Sequence, residues 1–279
     1  MVRGGPHTGL ALDGMALDDA GGHRHGNFPA YYSFNPVEKR VALLPEELGA
    51  AIGQVAEGAE GRRVRMLDMG SNAGDLTVAL ARWLCGSAGR NVVGVGVELD
   101  PGLVERAAEM WAGEAEGGGG GGIELVFGCA DATGDGAEGA IRALLESVGA
   151  GGRGEGEDDG PLFDVVFCFG LLMWIHVHVG DAGLRDFLAR LCRLGAVVVV
   201  ETHTWKNYKS CRERLRKKKL PLPPAFTPDA LAMRASIEAD VHDWLVAPDG
   251  CNMAVLMDLG RTNWGRPVRV YRQRAPAPL

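Results

Sequence analysis

The chain has 279 residues, 46% of them hydrophobic and 23% charged, enough to build the core of one soluble domain. Its formal net charge of −7 excludes nucleic-acid binding through overall charge and leaves only a local basic patch for that purpose. No run approaches the roughly 18 apolar residues of a membrane span and the N-terminus lacks an apolar signal core, so a cytoplasmic or nuclear location without membrane contact is expected.

Residues 1–25 are Gly- and His-rich, with His23 and His25 in HRHG, and read as a disordered tail. Residues 26–279 read as a single domain. RVRMLDMG (63–70) is a first strand and DLTVALARWL (75–84) a helix by its apolar spacing. NVVGVGVELD (91–100) is a second strand, followed by a helix that opens on Pro101. The acidic, Gly-rich blocks at 113–122 and 149–160 read as flexible surface insertions. Between them lie a third strand, IELVFGCAD (123–131), and a third helix (137–148). FDVVFCFG (163–170) is a fourth strand, MWIHVHVGD (173–181) the loop after it, 181–194 a helix and AVVVVE (196–201) a fifth strand. The six cysteines are scattered with no C-x-x-C pair, which favours buried thiols over zinc or disulfides.

Apolar strands alternating with helices predict an α/β fold with a doubly wound, mostly parallel sheet. Ligands then bind outside the carboxyl ends of the strands. After the first strand comes the turn Asp68-Met69-Gly70-Ser71-Asn72-Ala73-Gly74-Asp75, whose backbone amides and helix N-terminus can approach a ligand. The second strand ends on Glu98, suited to ribose hydroxyls, and the third on Asp131, suited to an adenine amino group. That order of turn and acids is the one expected of class I S-adenosylmethionine methyltransferases. Asn72 replaces a customary glycine and departs from both this pattern and the G-x-G-x-x-G of dehydrogenases.

The segments GNFPAYYSFNPVEKRVALLPEEL (26–48), LDMGSNAGDLTVAL (67–80), MWIHVHVGDAGL (173–184), ETHTWKNYKSCRERLRK (201–217) and GRTNWGRPVRVYR (260–272) together resemble the Bicoid-interacting family of RNA methyltransferases. Met173, where the small nuclear RNA methylphosphate capping branch carries Lys, points to the RNA 5′-monophosphate branch. The resemblance implies S-adenosylmethionine as cofactor and a monomer that methylates an RNA 5′-phosphate, on histidine transfer RNA or precursor microRNA. It implies Arg40 for the methionine carboxylate, Asn72 for the methionine portion, Glu98 for ribose, Asp131 with Ala132 for adenine, and Phe169 for the methyl-donor pocket. Asp68 and Gly70 belong to the same cofactor turn, with Asp68 supporting it.

A phosphate monoester is largely dianionic at neutral pH, with a second pKa near ~6. The catalytic need is therefore for donors and cations that hold it in line with the methyl group. Tyr32, His176, Glu201 and Lys206 are the candidates; Tyr31, Phe34 and Asn35 lie beside them, with a hydrophobic lid as the alternative for the aromatic residues. His178 stands where the family has Asn, and Thr202-His203-Thr204 replaces a Pro-containing loop. The His176-x-His178 pair has no third metal ligand nearby in sequence. Lys209, Arg212, Arg216, Lys217, Lys218 and Lys219, with Arg214 among them, form the dense basic cluster expected to dock RNA. Its alternative is a solvated helix face. Trp264 and Arg266 are expected to close the site. The competing functions are methylphosphate capping of small nuclear RNA, methylation of a protein or small molecule, and RNA binding without turnover.

Overall fold

The computed structural model describes His25, Gly26, Phe28 and residues 31–56, 62–150 and 160–274. Five strands, β1 (Val64–Met69), β2 (Val92–Glu98), β3 (Ile123–Cys129), β4 (Phe163–Cys168) and β5 (Gly195–Glu201), pair in parallel. Every residue of β1, β2 and β4 is buried, which is why these segments read as unbroken apolar runs instead of alternating ones.

Before the sheet come α1 (Tyr31–Phe34), α2 (Val37–Val41) and α3 (Glu46–Val55). The crossovers are α4 (Asp75–Ala88), α5 (Pro101–Glu114), α6 (Ala137–Ser147) and α7 (Leu172–Leu194). After β5 come α8 (Trp205–Lys217), α9 (Ile237–Val246) and the hairpin β6 (Met253–Arg261) and β7 (Pro267–Gln273). β7 pairs antiparallel with β5, giving the order β3-β2-β1-β4-β5-β7-β6. One apolar layer joins α6, α7 and α9 to one sheet face, and a second joins α3 and α4 to the other. The strand order reverses between β1 and β4, so the crevice at their carboxyl ends is the place for a ligand.

Three sequence expectations need correction. The first Gly-rich block lies on the surface, but α5 runs on into a π-helical turn, Ala115–Gly119, that is broken at Gly118, with φ 83°. MWIHVHV is helical, not a loop: α7 begins at Leu172 and is broken only at Gly180, with φ 72°. The chain also adds β6, an edge strand whose half-exposed residues give no clean apolar pattern. Residues 1–24 of the tail and 151–159 of the second block lie outside the described residues, whereas His25 is within them.

Candidate active site

The turn after β1 is built on backbone that ordinary side chains resist. Gly70 and Gly74 have φ 86° and 87°, and a Cβ at Gly74 would come within 2.9 Å of the Ala107 Cβ on α5. Asn72 also sits in the left-handed region, at φ 51°, which asparagine tolerates better than other non-glycine residues. Its Oδ1 accepts from the Ala73 amide at 2.8 Å and its Nδ2 donates to the Phe28 carbonyl at 3.3 Å. The substitution for glycine therefore keeps the turn and adds a tie to the preceding segment. Asp68, fully buried, accepts from Thr77 Oγ1 at 2.6 Å. Burial pushes its pKa up to about 6. It supports the turn and does not line the cavity.

A cavity opens above this turn, between β1, β2, β3 and β4. Gly70, Asn72, Glu98, Asp131, Ala132 and Phe169 line it, as do Arg40 and Tyr32. Glu98 is aimed by backbone donors: Oε2 accepts from Asn72 N at 3.0 Å, and Oε1 from Leu99 N at 2.7 Å and Asp100 N at 3.2 Å. Burial raises its pKa, and these three bonds work against the rise. Asp131 accepts from the Thr133 amide and hydroxyl through Oδ1, at 2.8 and 2.7 Å. Its Oδ2 has no hydrogen-bond partner among the described residues.

Arg40, on α2, reaches the cavity from a fully buried position. Its Nε donates to Glu201 Oε2 at 2.7 Å and its Nη2 to Tyr31 Oη at 2.8 Å. Tyr31, Phe169 and Trp264 surround the guanidinium at 5.3, 5.7 and 4.9 Å from their ring centres. Nη1 is buried without a partner. Glu201 also accepts from Arg266 Nη1 at 2.8 Å and Trp264 Nε1 at 3.1 Å through Oε1. Its burial opposes ionisation, but Arg40 and Arg266 overcome it and hold the carboxyl down at about 2. Gly170, which sequence reasoning missed, makes room for this group: at φ 67°, a Cβ there would lie 2.7 Å from Tyr31 Oη. The signal was present, a glycine closing the apolar run of residues 163–170.

The Bicoid-interacting protein 3 (Bin3) family matches residues 163–273. The RNA 5′-monophosphate methyltransferase of Mus musculus is 31% identical over 283 residues, covering 98% of this chain and 91% of that protein. The chain belongs to the Bin3 family. The pre-miRNA 5′-monophosphate methyltransferase of Danio rerio, 31% identical over 265 residues, covers 92% of this chain and 95% of its own length. These relatives place the chain in the RNA 5′-monophosphate methyltransferase branch of Bin3. The crystal structure of the DszA carbon methyltransferase superposes with a TM-score of 0.50 at 14% identity, over 88% of this chain and 56% of that one. The fold is thus the Rossmann-like one of class I methyltransferases.

The remaining expected site residues of this Bin3 protein divide. His176 is fully buried, with Nδ1 2.9 Å from Tyr208 Oη and Nε2 2.7 Å from Asp181 Oδ1. It ties α7 to α8 and does not line the cavity, so geometry gives it a structural place, not the expected catalytic one. Burial lowers its pKa against the opposing pull of Asp181. Glu201 lies behind Arg40 and acts on the cavity through it, together with Trp264 and Arg266 in the β6–β7 turn. Lys206 is exposed on the first turn of α8, outside the cavity lining. Of the four catalytic candidates only Tyr32 faces the cavity. Burial pushes its pKa well above the ordinary tyrosine value.

His178 lies at the cavity, while His176 on the same helix points into the core, so the pair cannot share a metal. His178 stacks on His25, ring centres 4.5 Å apart at 15°. His25 was expected to be part of a disordered tail and belongs to the cavity wall instead. The side chain of Phe34 is outside the described residues. The Thr202-His203-Thr204 departure is compensated: Thr204 and Asn207 form a capping box that starts α8, with Thr204 N donating to Asn207 Oδ1 at 2.9 Å. His203, kept neutral by burial and by Arg266, accepts from Met173 N at 3.3 Å. Lys209, Arg212, Arg216, Lys217, Lys218 and Lys219 are all exposed along α8 and the turn after it. Lys209 stands over Trp205, 5.8 Å from its ring centre.

Proposed function

We propose that this protein is an S-adenosylmethionine-dependent O-methyltransferase that modifies the 5′-monophosphate of a small RNA, with histidine transfer RNA and precursor microRNA as the candidate substrates. The observation that carries the reading is the buried, unpartnered Nη1 of Arg40 in a cavity that also holds Glu98 and Asp131. A guanidinium nitrogen without a partner in a buried site calls for an anion, and the cofactor's amino-acid carboxylate fits that need. Glu98 would accept from the ribose hydroxyls and Asp131 Oδ2 from the adenine amino group. The names of the Mus musculus and Danio rerio relatives, which cover nearly the whole chain, support the RNA 5′-monophosphate as acceptor.

When bound, S-adenosylmethionine supplies an electrophilic sulfonium methyl group. The residues of this chain bind, orient and exclude water. Glu201 fixes the guanidinium of Arg40, and the rings of Tyr31, Phe169 and Trp264 shut solvent away from it. Because a phosphate monoester ionises with a second pKa near ~6, no general base is required to prepare the acceptor oxygen. That agrees with a cavity whose catalytic candidate, Tyr32, has its pKa raised and so acts as a hydrogen-bond donor. His178 at the rim is a second donor, and the exposed cations of α8 supply the sequence-independent attraction for the RNA chain.

The test is methyl incorporation from labelled S-adenosylmethionine into one transcript carrying a 5′-monophosphate, a 5′-triphosphate or a 5′-hydroxyl. The reading expects incorporation into the monophosphate form and none when the transcript is dephosphorylated by phosphatase before the reaction. Incorporation into a transcript dephosphorylated beforehand would overturn it, and incorporation confined to the triphosphate form would move the chain to cap-type substrates.

A further inference from the structure

Arg214 differs from every other cation of α8. Arg212, Arg216 and Lys217 are exposed, whereas Arg214 sits half-buried beside the buried stripe of Tyr208, Cys211 and Leu215. Its guanidinium carbon lies 5.0 Å from the ring centre of Phe28 and 5.4 Å from that of Trp174. Trp174 is itself a wall of the cavity. The Phe28 carbonyl takes the hydrogen bond from Asn72 Nδ2, so the same sandwich touches the cofactor turn.

Two of its nitrogens, Nε and Nη2, are buried without a hydrogen-bond partner. They form one edge of the guanidinium, the edge that grips two oxygens of a phosphate or carboxylate side by side. No carboxylate pairs with Arg214 among the described residues. The Cys211 thiol lies within reach of Arg214 and interacts with it, but burial outweighs that contact and raises the thiol's pKa, so it stays neutral, a weak acceptor that supplies no counter-charge. A half-buried cation whose bidentate edge is shielded from water and unpaired is costly unless an anion arrives to pair with it.

We infer that Arg214 anchors the 5′-terminal phosphate of the acceptor RNA, with Trp174 as the platform against which the first nucleotide packs. This deepens the function proposed above and rests on it. The exposed cations of α8 suit the internal phosphodiesters, which any RNA presents. Arg214, turned toward the cavity wall, suits the one phosphate that carries a second negative charge. Both nitrogens are shielded from solvent in the structure, so the incoming phosphate displaces a neighbour. Phe28, less buried than Trp174, is the ring that gives way.

The assay compares wild type, Arg214→Gln and Arg214→Lys in binding one RNA sequence with a 5′-monophosphate or a 5′-hydroxyl. Methyl transfer and cofactor affinity are measured alongside. Wild type should prefer the 5′-monophosphate form by tenfold or more, the order of one charge-assisted pair. Arg214→Gln should reduce the preference to within about twofold while 5′-hydroxyl RNA and cofactor bind as before, which also shows that the variant is folded. Arg214→Lys, which keeps the charge and loses the fork, should recover part of the preference. An active wild type whose preference survives Arg214→Gln overturns this assignment alone. Equal weakening toward both RNAs overturns it too, and moves the contact to an internal phosphodiester. A wild type that methylates no 5′-phosphorylated RNA overturns the underlying function and the assignment with it.

Discussion

Replacing Glu201 with glutamine removes the negative charge on which two guanidinium groups converge. Arg40 and Glu201 are both fully buried, 2.7 Å apart, and Arg266 completes the group at 2.8 Å. The carboxyl titrates at about 2 instead of the ordinary 4.5, a difference worth about 3 kcal/mol of stability by linkage. Breaking a buried ion pair by removing one partner costs about 3 to 5 kcal/mol, so two routes agree on the scale. For a chain of this size the melting temperature should fall by roughly 6 to 20 °C. The sign of the pH dependence follows from the depressed pKa. Stabilisation by Glu201 is complete above the unfolded-state value of 4.5 and is lost as pH falls toward 2. Urea unfolding of wild type and Glu201→Gln, from neutral pH down to about 3, should show a gap that is widest above pH ~4.5 and narrows below it. A gap under about 1 kcal/mol, or one that does not change with pH, would refute the reasoning.

Other perturbations separate cofactor contacts from scaffold. Asp68 has the opposite sign: its folded pKa of about 6 lies above the ordinary 3.8, so its contribution falls as pH rises through that window. Asp68→Asn keeps an acceptor for Thr77 and should gain up to about 3 kcal/mol at pH 7 but nothing below about pH 4 by urea midpoints; a loss at pH 7 would contradict this. Glu98→Ala should weaken S-adenosylmethionine by about 1 to 3 kcal/mol in calorimetry, and unchanged affinity would remove the ribose assignment. His176→Ala should lower stability by about 1 to 3 kcal/mol while the kcat of the folded fraction stays at wild-type level. A large fall in kcat with normal stability would return His176 to the chemistry.

Much of the cavity lining was legible because a parallel sheet presents its ligand-facing residues at strand ends. Once β1, β2 and β3 were recognised as apolar runs, Gly70, Glu98 and Asp131 followed as residues at or just past their carboxyl ends. The resemblance singled out Phe169, at the end of β4, and added Arg40, which no strand rule reaches. His176 was placed wrongly because Trp174, Ile175 and Val177 have low helix propensity and the run reads as an extended strand end. Packing of these side chains between the sheet and α8 makes the segment helical. Helical spacing then turns His176 inward and His178 outward, a distinction that a loop does not make. β6 was illegible because an edge strand needs little buried surface. The roles of Gly170 and Arg214 were harder to read for another reason: each matters through a neighbour distant in sequence, Tyr31 for one and Phe28 with Trp174 for the other.

The most direct test of the account locates the transferred methyl group. A 5′-monophosphate RNA incubated with the protein and S-adenosylmethionine, then digested with nuclease, is analysed by mass spectrometry of its 5′-terminal nucleotide. The account predicts added methyl mass on the terminal phosphate and none on base or ribose. Methyl on a base, on a ribose hydroxyl or at an internal nucleotide would contradict it.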